Sequence, residues 1–130
     1  MGKSLIYSSN ATAQALASGS NINFGSVVRR YGQGLNISGG NLIAQGNGYY
    51  KVDTNVSFTA TAGTAVLTLH KDGTAIPGAT TTVTTVADTS YTVSIPAVIR
   101  NKCCCESEIS CQVDGVTATV TNAAIIAESL

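Results

Sequence analysis

The chain has 130 residues, of which 11% are charged, and its seven basic and seven acidic residues balance to a formal net charge of zero. Proteins that bind nucleic acid usually present a clustered basic face, so this balance argues against a nucleic-acid partner. No apolar run approaches the length of a membrane span, and the opening residues, MGKSLIYSSN, lack the continuous apolar stretch of a signal peptide. We therefore expect neither membrane insertion nor a signal peptide.

The first 45 residues predict short strands joined by glycine-rich turns, as in NINFGSVVRRYG and LNISGGNLIAQG. This part of the chain is less regular than the rest, and residues 1–20 predict either an extended N-terminal arm or a first strand. The clearest alternation follows in YYKVDTNVSFTA, where Tyr50, Val52, Val56 and Phe58 share one face and polar or charged residues share the other. One face of this strand is therefore expected to pack into a core.

The next segment, TAVLTLHK, leads into a predicted hairpin. Asp72-Gly73 is typical of a two-residue hairpin turn, because both positions need a positive φ. Pro77-Gly78 follows almost at once and predicts a type II turn on an edge strand. Binding residues often lie in loops on a rigid scaffold, so the residues of these two turns are candidate binding loops: Lys71, Asp72, Gly73, Pro77 and Gly78.

Two further alternating segments complete the chain. In SYTVSIPAVIR the outward position of Pro96 predicts an edge strand or a bulge. In GVTATVTNAAIIAESL the alternation is interrupted near Asn122, which predicts a bulge. The pattern amounts to about eight to ten short strands and no convincing helix, which predicts one all-β domain over residues 1–130, with a sandwich, jelly-roll or barrel architecture.

All four cysteines lie in one short segment, RNKCCCESEISC. A hairpin with ESE at its tip would place Cys103 opposite Cys111 and Cys105 opposite Ile109, which makes a disulfide between Cys103 and Cys111 a candidate. Cys104 and Cys105 are then candidate free or intersubunit thiols. Four reduced thiols are the alternative. Adjacent cysteines point to alternate faces of a strand, so the spacing does not favour zinc, and we expect no metal or cofactor.

The sequence offers little for catalysis, which requires a nucleophile, a base and a group that orients the base. The single histidine, His70, lies beside the predicted hairpin turn. Glu106 and Glu108 are close in sequence, but in a turn they are expected to solvate the loop rather than to act as an acid–base pair. We therefore expect a non-enzymatic protein.

Four motifs in this order resemble the C1q/tumour-necrosis-factor-like jelly roll, in the bacterial and phage branch that includes phage virion proteins and spore-surface collagen-like proteins. The motifs are Gly48-Tyr49-Tyr50-Lys51-Val52, Ser57-Phe58-Thr59-Ala60, Leu69-His70-Lys71-Asp72-Gly73 and Ile76-Pro77-Gly78. The resemblance covers about residues 20–130 and is strongest over 38–80. The end of the chain, NAAIIAESL, departs from it, because the family's last strand often carries a Gly-Phe pair.

The resemblance implies an antiparallel two-sheet jelly-roll sandwich that packs as a compact homotrimer around a threefold axis. Low charge permits a close apolar interface of this kind. By the resemblance Tyr50 is an inward or axis-facing tyrosine, and an ordinary core aromatic is the alternative. Tyr50, Val52, Val56 and Phe58 are accordingly candidate core or trimer residues.

The resemblance also implies a structural display module on a virion surface, such as a head fibre or a capsid decoration. Its expected partners are other copies of itself and capsid or other virion proteins. One alternative is a receptor- or carbohydrate-binding tip that recognises a host-surface glycan. Another is a protein of a spore or cell surface.

Overall fold

A computed structural model describes residues 3–102 and 105–130. These residues form twelve strands and no helix, which confirms the all-β prediction. The strands are β1 (Leu5–Asn10), β2 (Gln14–Leu16), β3 (Ser20–Asn21), β4 (Ser26–Tyr31), β5 (Leu35–Ser38), β6 (Asn41–Ala44), β7 (Gly48–Ala60), β8 (Gly63–Lys71), β9 (Thr74–Thr85), β10 (Ser90–Asn101), β11 (Ser107–Asp114) and β12 (Ala118–Ser129). The count exceeds the predicted eight to ten because β2 and β3, with three and two residues, are too short to show a period. Over the same residues, no helix capable of crossing a membrane is found.

The strands form two antiparallel sheets that pack face to face. Sheet A has the order β10-β7-β12-β1-β4, with β2 beside β12, and sheet B has the order β5-β6-β11-β8-β9, with β3 beside β11. Most neighbours within each sheet are distant in sequence, as in a jelly roll. The predicted two-sheet jelly-roll sandwich is therefore confirmed.

The core lies between the two sheets and is built mainly from aliphatic side chains. Tyr50, Val52, Val56 and Phe58 point inward from β7 and are almost fully buried within the single chain. The Tyr50 hydroxyl donates a hydrogen bond of 2.8 Å to the Gly46 carbonyl oxygen. These four side chains therefore belong to the core of the single chain.

The predicted Asp-Gly turn and the predicted bulge are found, but the turn predicted at Pro77-Gly78 is instead an irregularity inside β9, which continues from Thr74 to Thr85. The hairpin between β8 and β9 turns at Asp72 (φ 52°) and Gly73 (φ 84°), as the Asp-Gly pair predicted. The pairing of these strands is irregular near Pro77, and β9 is an edge strand of sheet B. Pro96 lies in β10, an edge strand of sheet A, and the pairing of β12 with β7 shifts between Val120 and Asn122.

The predicted hairpin in RNKCCCESEISC is wrong. The strand before the cysteines, β10, is one edge of sheet A, whereas β11 lies in sheet B between β6 and β8. Ile109 is opposite Leu42 and Lys71, and Cys111 is opposite Leu69, so Cys105 does not face Ile109. Cys103 and Cys104 lie outside the described residues. The disulfide between Cys103 and Cys111 therefore stays a prediction without its hairpin rationale.

Two features explain why the chain crosses from one sheet to the other at this point. The alternate residues Ile109, Cys111 and Val113 of β11 are buried, which suits a central strand of sheet B better than a position outside the edge strand β10. The buried Asn101 amide nitrogen donates to the carbonyl oxygens of Gly46 (3.0 Å) and Cys105 (2.8 Å), and its oxygen accepts from Ser107 Oγ (2.7 Å). These bonds hold both ends of the crossover.

Candidate functional site

The outer face of sheet A carries a group of exposed apolar side chains. Alternation along each strand directs one set of residues into the core and the other outward. Five large apolar residues belong to the outward set and are more than a third exposed: Leu5, Tyr31, Tyr49, Val98 and Ile126. Single exposed apolar residues are ordinary, but a set on one face marks a site of association.

The register of the strands arranges the outward residues in rows that cross the whole sheet, from β10 to β4. One row contains Val98, Lys51, Glu128, Leu5 and Tyr31, and the next contains Pro96, Asp53, Ile126, Tyr7 and Arg29. Further down, the outward residues on β10 and β7 are polar, as in the 2.9 Å hydrogen bond between the hydroxyls of Ser57 and Thr92. The exposed apolar residues are therefore confined to one end of the face, where charged residues such as Lys51, Glu128 and Asp53 lie among them.

The charges on this face are weakly paired within the chain. The Lys51 ammonium lies 4.0 Å from the Asp53 carboxylate, and both side chains are about half exposed. Exposed ion pairs contribute only about 0–1 kcal/mol. The Arg100 guanidinium lies over the Tyr49 ring at 5.6 Å from its centroid, a favourable cation–π geometry. Asp53 thus remains able to meet a positive charge on another molecule.

A shallow depression of about 290 Å³ lies in the β10–β7–β12 part of the face. Small or compact side chains on the flanking strands, among them Ser94 and Ala124, leave the space open. Its lining is completed by Asp53, Thr54, Asn55, Pro96 and Ile126. The depression has an apolar wall and an acidic rim.

A second cavity of about 480 Å³ lies where the edge strands β9 and β10 of the two sheets meet. Lys71, Asp72 and Pro77, which were predicted as binding-loop residues, line it together with Val98 and Arg100 of β10. Gly73 and Gly78 lie at the nearby turn and bulge, where their positive φ values suit glycine. The contribution of β10 could not be predicted, because the contact joins two sheets rather than two paired strands.

The residues considered for chemistry do not form a catalytic arrangement in the described part of the chain. His70 Nδ1 lies 3.3 Å from the Thr68 carbonyl oxygen. No group of three or more His, Cys, Asp or Glu side chains that could hold a metal ion occurs within residues 3–102 and 105–130. Burial raises the pKa of Cys111 to about 12, so this thiol is neutral at physiological pH, whereas Cys105 is exposed.

No family model and no curated protein matches the sequence. The structure is similar to murine APRIL, with a TM-score of 0.79 and 13% identity over 99% of this chain and 100% of that one. It is also similar to the globular domain of zebrafish complement 1qA, with a TM-score of 0.70 and 12% identity over 95% of this chain and 94% of that one. A third similar structure is the PRD1 vertex protein P5, with a TM-score of 0.65 and 14% identity over 98% and 96% of the two chains.

At 12–14% identity these similarities concern the fold alone. They extend over nearly the whole of each chain, including β7, which lies within residues 38–80, where the sequence resemblance is strongest. One fold hosts many functions, so the similarity by itself assigns none. The chain therefore has a jelly-roll sandwich of the tumour-necrosis-factor and C1q type.

Proposed function

We propose that this chain is a non-enzymatic structural module that assembles as a homotrimer and is displayed on the surface of a phage particle, as a head fibre or a capsid decoration. The observation that carries the proposal is the outer face of sheet A, where Leu5, Tyr31, Tyr49, Val98 and Ile126 remain exposed on the single chain. Apolar surface in water is unfavourable, and burying it against another copy recovers free energy.

Two further observations support the proposal. The chain has a formal net charge of zero, so no strong net repulsion opposes its self-association. The fold similarity to the PRD1 vertex protein P5 supports a virion as the place of display, with capsid or other virion proteins as further partners. A spore or cell surface is the alternative place.

The first test is the mass of the assembly in solution. Light scattering coupled to size-exclusion chromatography at micromolar concentration should give three times the mass of the chain. We expect this mass because association buries the outer face of sheet A against other copies of the chain. The chain released from gradient-purified phage particles should elute at the same volume as the recombinant protein. A stable monomer at this concentration, or absence of the chain from the particles, would contradict the respective part of the proposal.

A second candidate function is recognition of a host-surface glycan by the groove between β9 and β10. The groove places the cationic side chains of Lys71 and Arg100 beside an apolar wall that includes Ile76 and Val98. Such a combination suits a carboxylated glycan, because the cations can contact its carboxylate and the wall can contact its apolar ring face.

The groove is tested by measuring glycan binding on an array and then in solution at physiological salt. A carboxylated glycan is expected to bind the parent chain, and Lys71→Ala or Arg100→Ala should weaken its binding at least tenfold, on the order of the value of one charge-assisted hydrogen bond. Lys3→Ala, a change of the same kind away from the groove, should leave binding unchanged. Equal loss in all three variants would point to net charge rather than to the groove.

A further inference from the structure

The groove between β9 and β10 contains two cationic side chains without a carboxylate partner among the described residues. Lys71 and Arg100 both line the groove, whereas the one ion pair in the part of the chain that the structure describes lies on the outer face of sheet A. The acidic residue in the lining is Asp72, and its carboxylate accepts a hydrogen bond of 2.9 Å from the backbone N–H of Glu108 in β11. The two cations therefore remain available to an anionic ligand.

Tyr49 contacts Arg100 although it does not line the groove. The two residues lie directly opposite each other in the pairing of β7 with β10, and the Arg100 guanidinium lies over the Tyr49 ring at 5.6 Å from its centroid. A cation–π contact involves the face of the ring and occupies none of the N–H donors of the guanidinium. Those donors stay free to bind a carboxylate.

The contact also bears on the free energy of binding. An exposed arginine loses conformational freedom when it binds a ligand, and a ring that already restricts the guanidinium reduces this loss. Tyr49 is 53% exposed and Arg100 is exposed, so the contact has the strength of an exposed cation–π pair. Its removal should therefore weaken the binding of an anion by roughly twofold to fivefold.

We propose that Tyr49 is a positioning residue of the groove, whose ring holds the Arg100 guanidinium in place to contact the carboxylate of a bound glycan. This inference rests on the proposed recognition of a carboxylated glycan and adds to it a residue that does not touch the glycan. Lys71 contributes the second positive charge from the opposite sheet, independently of Tyr49.

A double-mutant cycle tests this role, with sialyllactose, a carboxylated trisaccharide, as the probe and titration followed by nuclear magnetic resonance at physiological salt as the measurement. Tyr49→Leu should weaken binding roughly twofold to fivefold, and Tyr49→Phe, which keeps the ring, should bind as the parent does. In the Arg100→Ala background Tyr49→Leu should have no further effect, because the ring then has no guanidinium to hold. In the Lys71→Ala background its full effect should remain.

Tyr7→Leu is the matched control for Tyr49→Leu. Tyr7 lies in β1 on the same outer face of sheet A, and β7 and β12 separate it from β10. The same chemical change at this position should leave the binding of sialyllactose unchanged. An equal loss at Tyr7 would indicate a general effect on this face and would overturn the role of Tyr49. Urea unfolding checks that each variant is folded.

The outcomes separate this inference from the proposed function. If the parent binds sialyllactose but Tyr49→Leu binds equally well, or is weakened to the same extent with and without Arg100, the positioning role is overturned and glycan recognition stands. A loss in Tyr49→Phe as large as in Tyr49→Leu would also overturn it, because the hydroxyl rather than the ring would then be required. A parent that does not bind sialyllactose would overturn both its recognition by the groove and the role of Tyr49.

Discussion

Replacing Gly115 with alanine is expected to destabilise the domain by roughly 2–5 kcal/mol, the sum of left-handed backbone strain and local overpacking. Gly115 connects β11 to β12 with a φ of 87°, a conformation that residues with a Cβ rarely adopt. A Cβ added there would overlap the carbonyl oxygen of Thr64, a backbone atom of β8 that cannot move without disturbing the sheet. Urea unfolding at a fixed protein concentration measures the loss.

Gly73 provides a matched control for this substitution. Its φ of 84° is nearly the same as that of Gly115, but no heavy atom lies within 4 Å of the position of an added Cβ. Gly73→Ala should therefore cost only the conformational strain, about 1–2 kcal/mol. The difference between the two variants isolates the clash with Thr64. Equal losses at both positions would show that backbone strain alone accounts for the role of Gly115.

Much of the fold could be predicted from local sequence patterns. The strict alternation of β7 follows from its burial on one face only, and Asp72-Gly73 supplies the positive φ values that its turn requires. Pro96 lacks the backbone N–H that a central strand would need, so it correctly indicated an edge. The crossover after β10 could not be predicted in this way, because its geometry depends on Asn101 contacting Gly46, which is distant in sequence.

The candidate site was less predictable than the fold. Alternation identifies Tyr49 and Lys51 as outward residues of β7, but it cannot show which other strands share their face. That knowledge requires the strand order β10-β7-β12-β1-β4, in which no two neighbours are consecutive in the chain. Arg29 and Asp53, for example, lie in the same cross-strand row because Asp53 pairs with Ile126 of β12, Ile126 pairs with Tyr7 of β1, and Tyr7 pairs with Arg29. When the neighbouring strands of a sheet are distant in sequence, the residues that share its outer face cannot be predicted from the sequence alone.

The stability of the domain is expected to fall between pH 9 and pH 11 in a way that depends on Cys111. This thiol is fully buried in the core opposite Leu69, and burial raises its pKa from 9.0 to about 12. Well below pH 9 the thiol is protonated in both the folded and the unfolded chain. Above pH 9 the unfolded chain loses the proton while the folded chain retains it, so the unfolded state gains stability as the pH rises.

The size of the effect follows from the same pKa difference. Well above the lower of the two pKa values each pH unit corresponds to about 1.4 kcal/mol, and half of the unfolded thiols are already deprotonated at pH 9, so Cys111 should lower the free energy of unfolding by about 2 kcal/mol at pH 11 relative to pH 9. The measurement is urea unfolding at several pH values in reducing buffer, at one protein concentration. Cys111→Val keeps a small apolar side chain in the core and should remove this part of the pH dependence.

A second variant separates burial from the mere presence of a thiol. Cys105 is exposed, so Cys105→Val should retain the full pH dependence of the parent. Burial also raises the pKa of Tyr50, which likewise lowers the free energy of unfolding as the pH rises. This contribution is the same in the parent and in both variants, so it cancels in the comparison. If the free energy of unfolding changed with pH in the same way in the parent and in Cys111→Val, Cys111 would not be a neutral, buried thiol in the folded chain. A bond between Cys111 and Cys103 that survived reduction would give that outcome, because a disulfide sulfur has no proton to lose.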